Sequence, residues 1–268
     1  MVTPMVRLPH PNARLYAKLE QCNLFGSSKD RTIQKILEVL SPPPGDLLVE
    51  ASSGNTGIAL AAQAKSWHCP SCIVMPENAS PERQKLIQFY GGQVVLTPQH
   101  LGMAGSIAKA KEISQSQCGF FVDQFSNPAN HLAHYETTGP EILAQCPDVD
   151  IFLSPVGTGG TISGAGRFLR EKKPQISIIG IIPSKGDAIP GIGAGIRLPL
   201  LEDFSVDGWM EVTFLDALQC AKESGLGCGI SAGAAIYAAK KLASIPENQG
   251  KTMVILLPDG IGRYLSML

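Results

Sequence analysis

No stretch of the chain approaches the roughly 20 consecutive apolar residues that a bilayer-spanning helix needs, and the opening MVTPMVRLPH lacks the basic and apolar segments of a secretory signal. The expectation is a cytoplasmic protein that does not engage a membrane. Blocks of like charge are absent too: 22 Lys and Arg stand against 23 Asp and Glu, for a formal net charge of -1. That leaves no electrostatic footprint for nucleic acid or an anionic surface, and a small-molecule ligand fits better. Cysteine is sparse and odd in number, 7 in 268 residues, which suits reduced, mostly buried thiols better than a disulfide framework. Only Cys69 and Cys72 have CxxC spacing. With no second CxxC, and with Cys72 opening the apolar run CIVM, strand packing is favoured there over zinc or redox chemistry, and no metal is expected.

Hydrophobic residues make up 44% of the chain, enough to fill one large α/β domain or two smaller ones. Short β-rich runs alternate with helical patterns: LYAKLE, a helix over 29–40, DLLVEA, an alanine-rich helix over 58–65, CIVMPE, a helix over 81–90, QVVLT, a helix over 104–114, and GFFVDQF. A helix-like stretch over 128–144 follows, and the alternation resumes with DIFLSPVG, SIIGIIP and TMVILLP, so that a second sheet or second half begins near Asp150. Continuous apolar strands between helices predict parallel sheets covered on both faces. The Gly- and Pro-rich region 183–208 reads as a long loop of the kind that is often functional.

Three loops place small polar and glycine residues after an apolar strand and before a helix. In an open α/β sheet, ligands sit at such positions, where helix N-termini offer unpaired N–H groups to anions. In VEASSGNTGIAL, hydroxyls and N–H groups of Ser52, Ser53, Gly54, Asn55 and Thr56 suit a carboxylate. In LSPVGTGGTISG, residues Gly157, Thr158, Gly159, Gly160 and Thr161 leave backbone N–H groups open, as a phosphate cradle requires. This second loop has neither the lysine of a P-loop nor an acidic residue about 20 positions on, so a single phosphate is expected. In LGCGISAGAAIY, Ser231 sits where an apolar turn enters a helix, and its plain alternative is an ordinary N-cap. Each loop alone is as readily structural as functional. Lys29, in SSKDR at the start of a predicted helix, reads as a solvated lysine unless it is desolvated, in which case its amine becomes a nucleophile suited to a Schiff base.

Taken in order, TPMVRL, KLEQCNLFGSSKDR, EASSGNTGIALA, MPENASPERQKLIQFYGGQVV, DQFSNPANHLAHYETTGPEI, GTGGTISG, PGIGAG, GISAG and RYLS resemble the β-family, or fold type II, of pyridoxal-phosphate enzymes. Within it they are most similar to the O-acetylserine sulfhydrylases (cysteine synthases), the B type in particular. The resemblance spans nearly the whole chain. It implies two three-layer α/β domains with mainly parallel sheets, like the tryptophan synthase β-subunit, with pyridoxal 5'-phosphate in the cleft between them. Residues 25–129 would form a smaller, mobile domain that binds the substrate carboxylate, and 1–24 with 130–268 a larger one that binds the cofactor phosphate.

The same resemblance implies site roles. Lys29 would hold the cofactor as a Schiff base and move the substrate α-proton. Asn55 would meet the cofactor's 3-hydroxyl, the loop from Gly157 to Thr161 its phosphate, and Ser231 its pyridine nitrogen. Ser52, Ser53, Gly54, Thr56, Gln124 and Gly191 would bind substrate. The implied reaction is β-replacement: O-acetylserine loses acetate, sulfide adds at the β-carbon, and cysteine leaves. Cystathionine synthesis, diaminopropionate synthesis, serine dehydration and a non-catalytic binding protein are the alternatives, with a mononucleotide-binding protein a further one resting on the phosphate-like loop alone. A homodimer is implied, as is docking of a serine acetyltransferase tail. Residues that family members carry before TPMV and after RYLS are absent here, and a more open site with some hydrolytic leakage is expected from that.

Overall fold

The computed structural model describes residues 2–193, 195 and 198–268. Along the chain run strands β1 (Met5–Leu8) and β2 (Arg14–Leu19), helix α1 (Lys29–Leu40), β3 (Leu48–Ala51), α2 (Asn55–Ala64), β4 (Ser71–Pro76), α3 (Pro81–Phe89), β5 (Gln93–Thr97), α4 (Gly102–Ser116) and β6 (Phe120–Phe121). Then follow α5 (Ala129–Ala133), α6 (Gly139–Gln145), β7 (Ile151–Pro155), α7 (Gly160–Lys172), β8 (Ser177–Pro183), β9 (Gly208–Val212), α8 (Phe214–Glu223), α9 (Ile230–Ala243) and β10 (Thr252–Leu257). The chain divides into two compact units, Met1–Ser28 with His131–Gly262, and Lys29–Asn130 with Arg263–Leu268.

In the unit of Lys29–Asn130 the sheet order is β5-β4-β3-β6, with every pairing parallel. Period-2 alternation assigns its two faces. Leu48, Ile73 and Met75 join Ile33, Ile36 and Leu37 of α1, Ile58 and Leu60 of α2 and Ile87 of α3 in one core. Val49, Ala51, Cys72 and Val74 meet Ala110 and Ile113 of α4 on the other. The spacing of Ile33, Ile36 and Leu37 gives α1 its single buried stripe. Removing each such side chain from water contributes roughly 1.5–3 kcal/mol.

In the unit of His131–Gly262 the order is β1-β2-β10-β7-β8-β9, and only the β1/β2 hairpin is antiparallel. Phe152, Ile178, Val254 and Leu256 of this sheet pack with Ile162, Ala165 and Leu169 of α7 and Ile142 of α6. Helix α9, rich in buried alanine, lies so close to α8 that a Cβ at Gly233 would come 2.0 Å from the Ala217 carbonyl oxygen.

Two elements differ from the sequence expectation. The single helix expected over 128–144 is interrupted by a π-turn at His134–Thr138 between α5 and α6. There Thr137 Oγ1 donates to the Ala133 carbonyl at 2.6 Å, and the buried His134 ring reaches Thr138 Oγ1 at 2.8 Å, so side chains hold the wider turn. The run GFFVDQF forms only a two-residue strand, because Asp123 adopts φ 54° and turns the chain out of the ladder.

Candidate active site

The first expected ligand loop is built from side chains. Strand β3 ends at Ala51 and α2 opens at Asn55, with no side-chain cap from Gly54. Ser52 supplies that function: its Oγ accepts from the N–H groups of Gly54 at 3.2 Å and Gly57 at 3.1 Å. The proton of the Ser52 hydroxyl is what it has left to offer a ligand. Thr56 Oγ1 donates to Gln124 Oε1 at 2.5 Å, and Gln124 Nε2 donates to the Ala51 carbonyl at 3.0 Å. One proton of the Gln124 amide bridges to β3, and the other is its remaining donor. Ser53 is half-buried, its carbonyl accepting from Arg83 Nη1 at 3.2 Å. Gly54 lies against the same guanidinium, so that a Cβ there would sit 3.1 Å from Nη1. Ser52, Ser53, Gly54, Asn55, Thr56 and Gln124 thus share one corner of the unit. Lys29 is the first residue of α1 and is half-buried, and the Asp30 carbonyl beside it accepts from Gln63 Nε2 of α2 at 2.9 Å.

The second loop, in the other unit, is built from backbone. Gly159 takes φ 87°, a left-handed conformation that favours glycine, and delivers the chain into α7. A Cβ on Gly157 would lie 2.5 Å from the Gly191 carbonyl oxygen, which brings the expected substrate residue Gly191 against the expected phosphate loop. Gly193 N–H fixes that approach by donating to the Val156 carbonyl at 3.0 Å. The Gly160 N–H meets Thr158 Oγ1 at 3.3 Å, and Thr161 Oγ1 meets His134 Nε2 at 3.1 Å. The first turn of a helix such as this 13-residue one offers N–H groups that lack intrahelical acceptors, which suits an anion. Ser231 is buried within the first turn of α9, whose N-cap is Gly229. The plain alternative for Ser231, an N-cap, is therefore not its place.

Three buried polar residues that sequence reasoning passed over support these loops. His134 holds the Thr161 hydroxyl from one ring nitrogen and Thr138 from the other. Arg83 holds Ser53. Glu50, fully buried on the core face of β3, accepts from the Ala51 N–H at 2.7 Å and the Gln124 N–H at 3.1 Å. Burial pushes its carboxyl up to about 8; the two N–H donors pull it down, and nearby Asp123 pushes it further up. An acid inside the apolar run LLVEA was the available signal for Glu50. Cys69 and Cys72 are buried, and burial raises both thiols above their ordinary range. Among the described residues no cluster of three or more His, Cys, Asp or Glu could hold a metal ion, and no helix is long and apolar enough to cross a membrane.

Comparison with known proteins places the whole chain. A family model described as "Pyridoxal-phosphate dependent enzyme" matches residues 1–259. A cysteine synthase of Staphylococcus aureus is 41% identical over 288 aligned positions, covering 98% of this chain and 93% of that protein. The solved structure of a cysteine synthase from Entamoeba histolytica superposes with a TM-score of 0.91 at 36% identity, covering 98% of this chain and 86% of that one. That of an O-acetylserine dependent cystathionine beta-synthase from Helicobacter pylori gives 0.92 at 34% identity, with 98% and 94% covered. With its two mainly parallel α/β sheets and a match along nearly its full length, the chain belongs to the family of pyridoxal-phosphate dependent enzymes.

Proposed function

We propose that the protein is a cysteine synthase that breaks the bond from the β-carbon of O-acetyl-L-serine to its acetate oxygen and forms a carbon–sulfur bond with sulfide. The observation that carries this reading is the 41% identity to a cysteine synthase over 98% of the chain. Pyridoxal phosphate, when bound, supplies the electron sink that makes a substrate α-proton acidic and lets a β-substituent leave. The residues present fit it: the glycine loop 157–161 excludes side chains where a phosphate needs N–H donors, and a half-buried lysine opens α1.

In this reading Lys29 anchors the cofactor through Nζ, takes the α-proton there, and returns it after sulfur has added. Ser52, Ser53, Gly54 and Thr56 hold the α-carboxylate with Gln124, and Gly191 borders the substrate. Asn55 meets the cofactor's 3-hydroxyl, Gly157 to Thr161 its phosphate. Ser231 meets the ring nitrogen with a hydroxyl, which cannot hold a ring proton as a carboxylate would; elimination is thereby favoured over transamination. The unit of Lys29–Asn130 is the carboxylate-binding part and that of His131–Gly262 the phosphate-binding part. A homodimer, docking of a serine acetyltransferase tail and a cytoplasmic setting belong to the same reading, the last supported by seven free cysteines.

A second reading rests on the structural likeness to the H. pylori protein, with a TM-score of 0.92 at 34% identity: the first substrate stays and a larger thiol replaces sulfide. Product analysis of the holoprotein with O-acetylserine and either nucleophile separates the two, and a protein that forms no thioether or thiol from either overturns both. Lys29→Ala is expected to lower turnover at least about 10³-fold, with its thermal unfolding by circular dichroism unchanged. A variant that kept its turnover would identify another lysine as the base.

A further inference from the structure

The geometry points to Glu50 as a positioning residue that sets the spacing of Thr56 and Gln124, two of the residues read above as carboxylate ligands; the inference rests on that reading. Strands β3 and β6 pair in parallel at Leu48 with Phe120 and Val49 with Phe121, and the ladder ends with the Val122 N–H on the Val49 carbonyl at 2.9 Å. Asp123 then takes φ 54° and the strands part. At that fork the Gln124 N–H no longer faces a strand carbonyl. It donates to Glu50 Oε2 at 3.1 Å, while Glu50 Oε1 accepts from the Ala51 N–H at 2.7 Å. One carboxyl group therefore splices two diverging backbones.

The splice is continued by side chains. Gln124 Nε2 donates to the Ala51 carbonyl at 3.0 Å, and its Oε1 accepts from Thr56 at 2.5 Å. Asn130 Nδ2 closes the other side by donating to the Gln124 carbonyl at 2.7 Å. Both groups facing Glu50 are N–H donors, and a carboxyl meets each with an oxygen that retains acceptor capacity whether or not the group holds its proton. A glutamine offers one acceptor and one NH₂, and the NH₂ would confront an N–H. An acid at a fully buried position is costly, and this one stands where its two oxygens join the first loop to its partner. Glu50 touches no substrate in this account; it acts through Gln124.

The test uses the purified holoenzyme and the variants Glu50→Gln and Glu50→Asp. Binding of L-serine, read by the change in cofactor absorbance, needs no nucleophile and no turnover. Glu50→Gln is expected to weaken it about tenfold, as expected for a buried donor left unsatisfied, and to raise KM for O-acetylserine alike. Cofactor occupancy and KM for sulfide, which has no carboxylate, stay as in the wild type. Glu50→Asp, with both acceptors one methylene shorter, recovers part of the loss. Wild-type serine affinity in Glu50→Gln overturns the assignment. So does a parallel loss of cofactor occupancy and both KM values, or failure of both variants to fold, since each marks a residue that only holds the fold. If the wild type binds serine but makes no cysteine, the proposed reaction fails while the serine titration still decides the role of Glu50.

Discussion

The loops at 52–56 and 157–161 stand in the same kind of place, between the carboxyl end of a parallel strand and the start of a helix, and are made of opposite materials. The first is a lattice of side chains: Ser52 caps α2, Thr56 is tied to Gln124, Gln124 to Ala51, and Glu50 to both backbones. The second is mainly backbone, its shape set by what glycine allows and by neighbours that fill the space where a Cβ would go, with the Thr158 and Thr161 hydroxyls turned to the Gly160 N–H and to His134. A side-chain lattice presents donors at chosen angles and can tell one carboxylate geometry from another. A backbone cradle presents several N–H groups at once and suits a phosphate, which asks for many donors in any rotation. On the proposed reading, the first loop would select the substrate carboxylate and the second would hold the cofactor phosphate.

The strongest way to break this contrast is a methyl group. Gly157→Ala drives a Cβ to within 2.5 Å of the Gly191 carbonyl oxygen, a backbone atom that cannot rotate away. Overpacking of that kind costs about 1–3 kcal/mol, so cofactor affinity should fall roughly 10- to 100-fold in an absorbance titration of apoprotein. An unchanged affinity would remove the cradle from the account. In the other loop a conservative change should be absorbed. Thr56→Ser keeps the hydroxyl on Gln124 and should leave KM for O-acetylserine within about twofold, whereas Thr56→Val strands the Gln124 oxygen and should raise it about tenfold. Equal effects of the two substitutions in steady-state kinetics would mean that the hydroxyl is not what the loop uses.

Much of this frame was legible in the chain. Helix α1 was expected over 29–40 and spans Lys29–Leu40, because its apolar residues repeat at helical spacing. The apolar runs of β4, β7, β8 and β10 could only be buried strands once turns bounded them. What stayed hidden depends on partners far away in sequence. The His134 ring in the π-turn finds its second partner at Thr161, 27 residues on. Glu50 finds its second donor at Gln124, 74 residues on, and Arg83 its aromatic face at Tyr264. Periodicity carries no information about such pairs. Ser231 shows a finer limit: its turn was evident, but whether it caps α9 or lies inside the first turn is a matter of two residues.

The pH dependence of stability sharpens the contrast, because only the side-chain lattice carries a shifted acid. Glu50 is held near 8 in the folded protein against 4.5 as its ordinary value. Between these values the folded state keeps a proton that the unfolded state has released. By linkage, the contribution of Glu50 is fully present below about 4.5 and is lost as pH rises through 8. The melting temperature of the wild type should therefore fall more steeply from pH 5 to pH 8 than that of Glu50→Gln, measured side by side in one buffer series. Parallel curves would show that Glu50 ionises normally in the fold.

The smallest expected effects concern how the first loop is held from behind. Among the contacts of residues 263–268 with α3, two differ in worth. The Arg83 guanidinium lies 4.8 Å from the centroid of the fully buried Tyr264 ring while its Nη1 holds the Ser53 carbonyl. Glu82, at the exposed start of α3, accepts from the Ser266 N–H at 2.7 Å and its hydroxyl at 2.9 Å. Lysine cannot reproduce the flat fork that bonds a carbonyl and stacks on a ring together, so Arg83→Lys should raise KM for O-acetylserine about threefold at unchanged cofactor occupancy. Ser266→Ala removes one hydrogen bond that water replaces at little cost and should change KM by less than about twofold. If Ser266→Ala were the more damaging of the two, the support of the loop would run through the chain's exposed attachment and not through the guanidinium beneath Ser53.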